Sequence, residues 1–154
     1  MTTQKDIDGF LEMKRIAIIG VSRNPKDFTR SLYQEFVKRG YDAVPVNPAM
    51  PDVDGKTCYA NIQDVQPCVD AALLLTPSGM SERIVRECDA ANVRRIWLYR
   101  AGGNGAVSAE AVKLCESRGI PVVAGECPFM FFPQTPWMHR VHGFCKKIVG
   151  TYPR

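Results

Sequence analysis

"IAIIGVSRNPKDFTRSL", residues 16–32, runs from an unbroken apolar segment through Gly20 into a polar loop and then an amphipathic stretch. Nothing polar interrupts the segment before Gly20, so it reads as a strand covered on both faces, as in the interior of a parallel sheet. From Phe28 the apolar spacing becomes helical, over "FTRSLYQEFVKRG" (28–40), with Leu32, Phe36 and Val37 on one face and Gly40 as the stop. Strand, glycine turn and helix is the repeating unit of α/β proteins.

The unit recurs along the chain. Further strands are expected in "YDAVPVNP" (41–48), "AALLLTPS" (71–78), "RRIWLYRAGG" (94–103) and "IPVVAG" (120–125). Helices are expected in "SERIVRECDAANV" (81–93), with Ile84, Val85 and Cys88 inward, and in "SAEAVKLCESRG" (108–119), opened by Ser108. The stretch 56–70 is irregular, with a helical turn. Right-handed crossovers then give a doubly wound, Rossmann-like α/β fold of about five parallel strands. Residues 1–128 form this domain. Residues 129–154 form an aromatic and proline-rich extension packed on it, helical from Trp137 to Ile148.

The chain of 154 residues suits one domain. It lacks the run of roughly 18 apolar residues that a membrane span requires, and its first residues lack the apolar core of a signal peptide. A cytoplasmic protein is expected. The six cysteines (58, 68, 88, 115, 127, 145) contain no C-x-x-C pair and read as reduced thiols. A net charge of +4 suits an anionic ligand but is too small and scattered for nucleic acid.

Open parallel sheets bind ligands beyond the carboxyl ends of their strands, where the strand order reverses. The loops at 20–28, 46–50, 75–80 and 99–105 are therefore the candidates. A helix starting near Phe28 turns its positive dipole end toward the first of them. Ser22 and Asn24 offer hydrogen bonds there, and Arg23, Lys26 and Arg30 offer positive charge. The G-x-G-x-x-G of a nicotinamide site is absent, because Gly20 is followed by Val, Ser, Arg, Asn and Pro. The acidic residue that such a site needs after the second strand is absent too, the chain reading Val46-Asn47-Pro48. Losing that carboxylate removes a clash with a ribose phosphate. An adenine nucleotide carrying a 3′-phosphate becomes the natural ligand.

The blocks "IAIIGVSRNP", "RGYDAVPVNP", "GKTCYANIQDV", "VDAALLLTP", "RRIWLYRAGG" and "GIPVVAGECP", in that order, resemble the small stand-alone CoA-binding domain family. That family is similar to the N-terminal domain of succinyl-CoA synthetase α subunits and of other nucleoside-diphosphate-forming acyl-CoA ligases. The resemblance covers residues 7–128. It implies that Gly20, Val21, Ser22, Arg23, Asn24 and Lys26 wrap the phosphates of coenzyme A or an acyl-CoA. It implies further that Val46, Asn47 and Pro48 line the adenosine end, while Thr76, Pro77 and the loop at Gly102-Gly103 border the pantetheine path. The larger ligases carry a phosphorylated histidine in a second domain, which this sequence does not reach, so ligase activity by this chain alone is not expected. A binding protein without catalytic residues is the leading reading. The alternative is a small CoA- or nucleotide-dependent transferase or oxidoreductase drawing its acid or base from His139 or His142.

Other groupings are weaker. His139 and His142 stand three residues apart, within helical reach of one another, and with Cys127 are of zinc-ligand type, but no further ligand has matching spacing. Ser22 lacks the second glycine of a nucleophile elbow, its place being taken by Asn24. The aromatic group Phe129, Phe131, Phe132 and Trp137 is either a flap over the sheet edge or a subunit interface, the latter making a homodimer.

Overall fold

The computed structural model describes residues 2–100, 103 and 105–132. The described chain opens with α1 (Gln4–Leu11) and β1 (Arg15–Ile19), followed by α2 (Phe28–Lys38) and β2 (Asp42–Val46). A two-stranded hairpin, β3 (Asp52–Val53) and β4 (Lys56–Thr57), precedes β5 (Ala71–Leu74) and α3 (Ser81–Ala90). Then come β6 (Arg95–Leu98), α4 (Ala109–Ser117) and β7 (Val122–Ala124). The main sheet is parallel, in the order β2-β1-β5-β6-β7. The chain therefore leaves β1 toward one edge and returns on its other side, which makes the carboxyl ends of β1 and β5 the point of reversal.

Strand alternation divides the core in two. Ala17, Ile19, Ala72, Leu74, Ile96 and Leu98 face α3 and α4. Their neighbours Ile16, Ile18, Ala71, Leu73 and Trp97 face α1 and α2. Both faces of the central strands are covered, as the unbroken apolar runs required.

Within the described residues the expected strands form, as do the helices expected at 28–40, 81–93 and 108–119, with ends trimmed by a few residues. The α2 face differs in one respect. Its buried arc runs through Leu32, Tyr33 and Phe36, while Val37, in the last turn at the rim of that arc, stays 41% exposed. Helix α1 is an addition. It is closed by a capping box, with Asp6 N–H donating to the Thr3 hydroxyl and Thr3 N–H donating to the Asp6 carboxylate. Ile7 and Phe10, fully buried, hold it against the sheet, and the Phe10 ring meets Trp97 edge-on at 5.2 Å. Residues 56–70 supply β4 and a short 3₁₀ turn at Ile62–Asp64.

The aromatic stretch after β7 lies on the domain as far as Phe132. Phe132 is 5% exposed, packs edge-on against Phe36 at 5.0 Å and carries the Arg39 guanidinium over its ring. The expected helix at 137–148, Trp137, His139 and His142 lie outside the described residues.

Candidate functional site

The carboxyl ends of β1, β2 and β5 meet around a cavity of about 230 Å³. Ile19, Val46, Ile62 and Ile84 give it an apolar floor. Gly20, Asn47, Pro48 and Thr76 form its strand-end rim, with Asn61 on the loop following β4. Met80, Arg83 and Glu87, on the approach to α3 and on that helix, form the opposite wall. An apolar floor with a few polar groups at the rim suits one flat ring system. The volume falls below the roughly 300–1,000 Å³ of whole-ligand pockets, so a long ligand would place only one end here.

Gly20 is required at the head of the first loop. Its φ is +99°, and a Cβ there would lie 2.9 Å from the Thr76 side chain and 3.2 Å from the Leu75 carbonyl carbon. The backbone of β1 can thus leave the sheet directly beside that of β5, and Gly20 N–H still donates to the Val46 carbonyl at 3.0 Å. Asn47 ties the two rims together. Its amide donates to the Val21 carbonyl and its oxygen accepts from Ala49 N–H, each at 2.8 Å. Beneath it the Cys58 thiol donates to the Asn47 carbonyl at 3.6 Å, and burial pushes that thiol's pKa up.

The loop from 20 to 27 is a chain of self-contained turns. Ser22 N–H donates to the Thr29 hydroxyl, Asn24 N–H to the Ser22 hydroxyl and Lys26 N–H to the Asn24 side-chain oxygen. Asp27 caps α2 by accepting from Thr29 N–H at 2.8 Å. The α2 terminus is therefore not an open anion site, because a carboxylate already occupies it. What the loop turns outward is charge: Arg23 and Lys26 are exposed, and no ion pair holds either among the described residues.

Arg30 is used differently from the sequence expectation. Its side chain is 9% exposed and pairs with Asp54 at the tip of the β3–β4 hairpin, while a second nitrogen donates to the Ser22 carbonyl at 3.3 Å. It braces the loop instead of presenting charge to solvent. Of the residues expected to bind ligand, Gly20, Val46, Asn47, Pro48 and Thr76 line the cavity. Val21, Ser22, Arg23, Asn24, Lys26, Arg30 and Pro77 do not line it, and Gly102 lies outside the described residues. The Thr76 hydroxyl oxygen is buried without a hydrogen-bond partner.

Arg83, Ile84 and Glu87 of α3 line the cavity without being among the expected ligand-binding residues. Met80, Ile84 and Glu87 repeat at helical spacing, and Arg83 stands beside them on the same turn, so a face directed at a strand-end cleft was readable in "GMSERIVRE". A second aromatic surface stands nearby in the fold. Phe28, 39% exposed at the start of α2, stacks on Tyr99 with centroids 5.5 Å apart and contacts Phe129. Burial raises the Tyr99 hydroxyl to about 12, with Cys127 adding to the shift. Cys127 itself is buried. Among the described residues no group of His, Cys, Asp and Glu is arranged to hold a metal, and no helix is long and apolar enough to cross a membrane.

A parallel sheet with a cleft at its point of reversal and a glycine exit from β1 defines a Rossmann-like α/β domain. The chain belongs to the CoA binding domain family, whose model matches residues 14–133. It is 24% identical over 129 residues to the ADP-forming acetate–CoA ligase of Methanocaldococcus jannaschii, and 22% identical over 114 residues to the uncharacterized protein YneT of Bacillus subtilis. The matched part is 74% of this chain in both cases, but 17% of the ligase and 82% of YneT. This chain thus spans less than a fifth of that ligase's length. In three dimensions it resembles a hypothetical protein from Pyrococcus horikoshii OT3, with a TM-score of 0.75 and 25% identity over 82% of this chain and 87% of that one. It also resembles the dinucleotide-forming acetyl-coenzyme A synthetase 1 of Ca. Korarchaeum cryptofilum, with a TM-score of 0.64 and 25% identity over 73% of this chain and 26% of the synthetase.

Proposed function

We propose that this protein binds coenzyme A or an acyl-CoA across the carboxyl ends of β1, β2 and β5. The observation that carries the reading is the cavity at the β1/β5 reversal, apolar below and polar at the rim, in a chain of the CoA binding domain family. The adenosine end occupies the cavity between Asn47-Pro48 and α3. The pyrophosphate follows the exposed face of the 20–26 loop, where Arg23 and Lys26 supply counter-charge. Thr76 and Pro77 mark the exit toward the pantetheine arm. The role is binding, with the chain's own residues orienting the ligand.

Titration calorimetry with CoA, NAD and NADP tests this. CoA is expected to bind with the highest affinity, and Lys26→Gln to weaken it several-fold at low salt, since exposed cation–phosphate contacts are screened by ions. Tighter binding of NAD, or no heat with CoA, overturns the reading.

A further inference from the structure

Ribose in a doubly wound fold lies over the end of the second strand, here Asn47-Pro48. A phosphate on that ribose needs a cation within reach of this rim. Arg30 is withdrawn into its pair with Asp54, and Arg23 and Lys26 do not line the cavity. Among the described residues the one cationic side chain on the cavity wall is Arg83. It stands on α3 and shares the cavity with the Asn47-Pro48 rim, its side chain 68% exposed.

Arg83 is held only loosely. Its Nε stands 3.7 Å from a carboxylate oxygen of Glu87, one turn on, too long for a good hydrogen bond. A neighbouring i,i+4 pair on the same helix, Arg86 with Glu82, closes to 2.7 Å. Glu87 also lines the cavity and is the more buried of its pair, at 29% side-chain exposure. A planar guanidinium so placed can leave a weak carboxylate contact for a bidentate phosphate contact.

We infer that Arg83 is the specificity residue for the 3′-phosphate of the ligand's adenosine end, and that Glu87 competes with that phosphate for it. The inference rests on the CoA reading above. Glu87 parks the guanidinium at the cavity in the free protein. A 3′-phosphorylated ligand takes it over, and an unphosphorylated adenosine end leaves the Arg83–Glu87 contact in place. Discrimination between the two ligands is therefore assigned to α3 and not to the glycine loop.

The test compares CoA with dephospho-CoA by calorimetry on the whole chain, for wild type, Arg83→Gln, Arg83→Lys, Glu87→Gln and Lys26→Gln. Arg83→Gln is expected to weaken CoA about tenfold, the scale of one charge-assisted hydrogen bond, and to leave dephospho-CoA within about twofold. Arg83→Lys restores part of the loss, because charge survives and the fork does not. Glu87→Gln tightens CoA about threefold without tightening dephospho-CoA. Lys26→Gln weakens both ligands alike. An equal effect of Arg83→Gln on the two ligands, or none on either, overturns the inference while the CoA reading stands. Wild type binding neither ligand overturns both.

Discussion

Arg30 and Asp54 join α2 to the tip of the β3–β4 hairpin, one guanidinium nitrogen on the carboxylate and another on the Ser22 carbonyl. The hairpin turn is Asp54-Gly55, both at positive φ, as a two-residue hairpin turn demands. Gln34 also donates to Asp54, at 3.1 Å. The 20–27 loop is thereby supported by a bond between two elements that do not themselves line the cavity.

Arg30→Lys separates support from ligand binding. Lysine keeps the charge but cannot reach Asp54 and Ser22 together. The expected result is a loss of about 1 kcal/mol of stability in urea unfolding, with CoA affinity held within about twofold. A well-folded variant that loses CoA binding tenfold would return Arg30 to the ligand.

Stability should fall in acid through Asp54 and Asp42. The Gln34 hydrogen bond and then the Arg30 bond and charge lower the Asp54 pKa. At Asp42 partial burial pushes upward, but the Arg15 bond at 2.6 Å and the Arg15 and Lys56 charges outweigh it, and the pKa is lowered. Each carboxylate therefore binds fewer protons folded than unfolded. Its contribution is complete above the unfolded value of about 4 and disappears as pH falls through the lower folded value. Both side chains are 40% or more exposed, which limits each to about 1 kcal/mol. Urea unfolding at pH 7, 4 and 3 checks this: Asp54→Asn should flatten the drop below pH 4, and an unchanged profile would contradict it.

Gly20→Ala probes the close approach of β1 to β5. The new Cβ meets Thr76 and the Leu75 backbone inside normal contact, at a φ of +99° that L-residues avoid. Strain of about 1–3 kcal/mol is expected, together with loss of CoA affinity, because Gly20 and Thr76 share the cavity rim. Thermal melts and calorimetry read the two effects; a variant as stable as wild type would show that the rim moves apart easily.

The strands and three of the helices were legible because each buried element carries its own period: "RIAIIG" and "AALLL" are apolar throughout, and Ile84, Val85 and Cys88 repeat at helical spacing. Helix α1 is harder to read from the sequence. It has eight residues, and its evident signals are Thr3-x-x-Asp6 and the pair Ile7 and Phe10. The strand-end rim followed from topology, since any doubly wound sheet puts Gly20, Asn47 and Thr76 together. Which basic side chains stay exposed did not follow. Arg23, Lys26 and Arg30 are equivalent in sequence, and only the hairpin at Asp54 withdraws Arg30. Helical spacing in "GMSERIVRE" groups Arg83 with Met80, Ile84 and Glu87, but that this group lines the cavity follows only from how α3 packs on the sheet.

The thiols offer a check on the core. Cys88 and Cys115 are fully buried between α3 and α4; burial raises the Cys88 thiol strongly and the Cys115 thiol to about 12. Because the thiolate is the reacting form, both should resist alkylation at neutral pH. Cys68, between Pro67 and Val69 ahead of β5, is exposed. Brief iodoacetamide treatment at pH 7.5 followed by peptide mapping should modify Cys68 well before Cys88 or Cys115. Adding urea past the unfolding midpoint should bring the three to similar rates. Early modification of Cys88 or Cys115 in the native protein would mean that the α3–α4 layer opens, and with it the wall that carries Arg83 and Glu87.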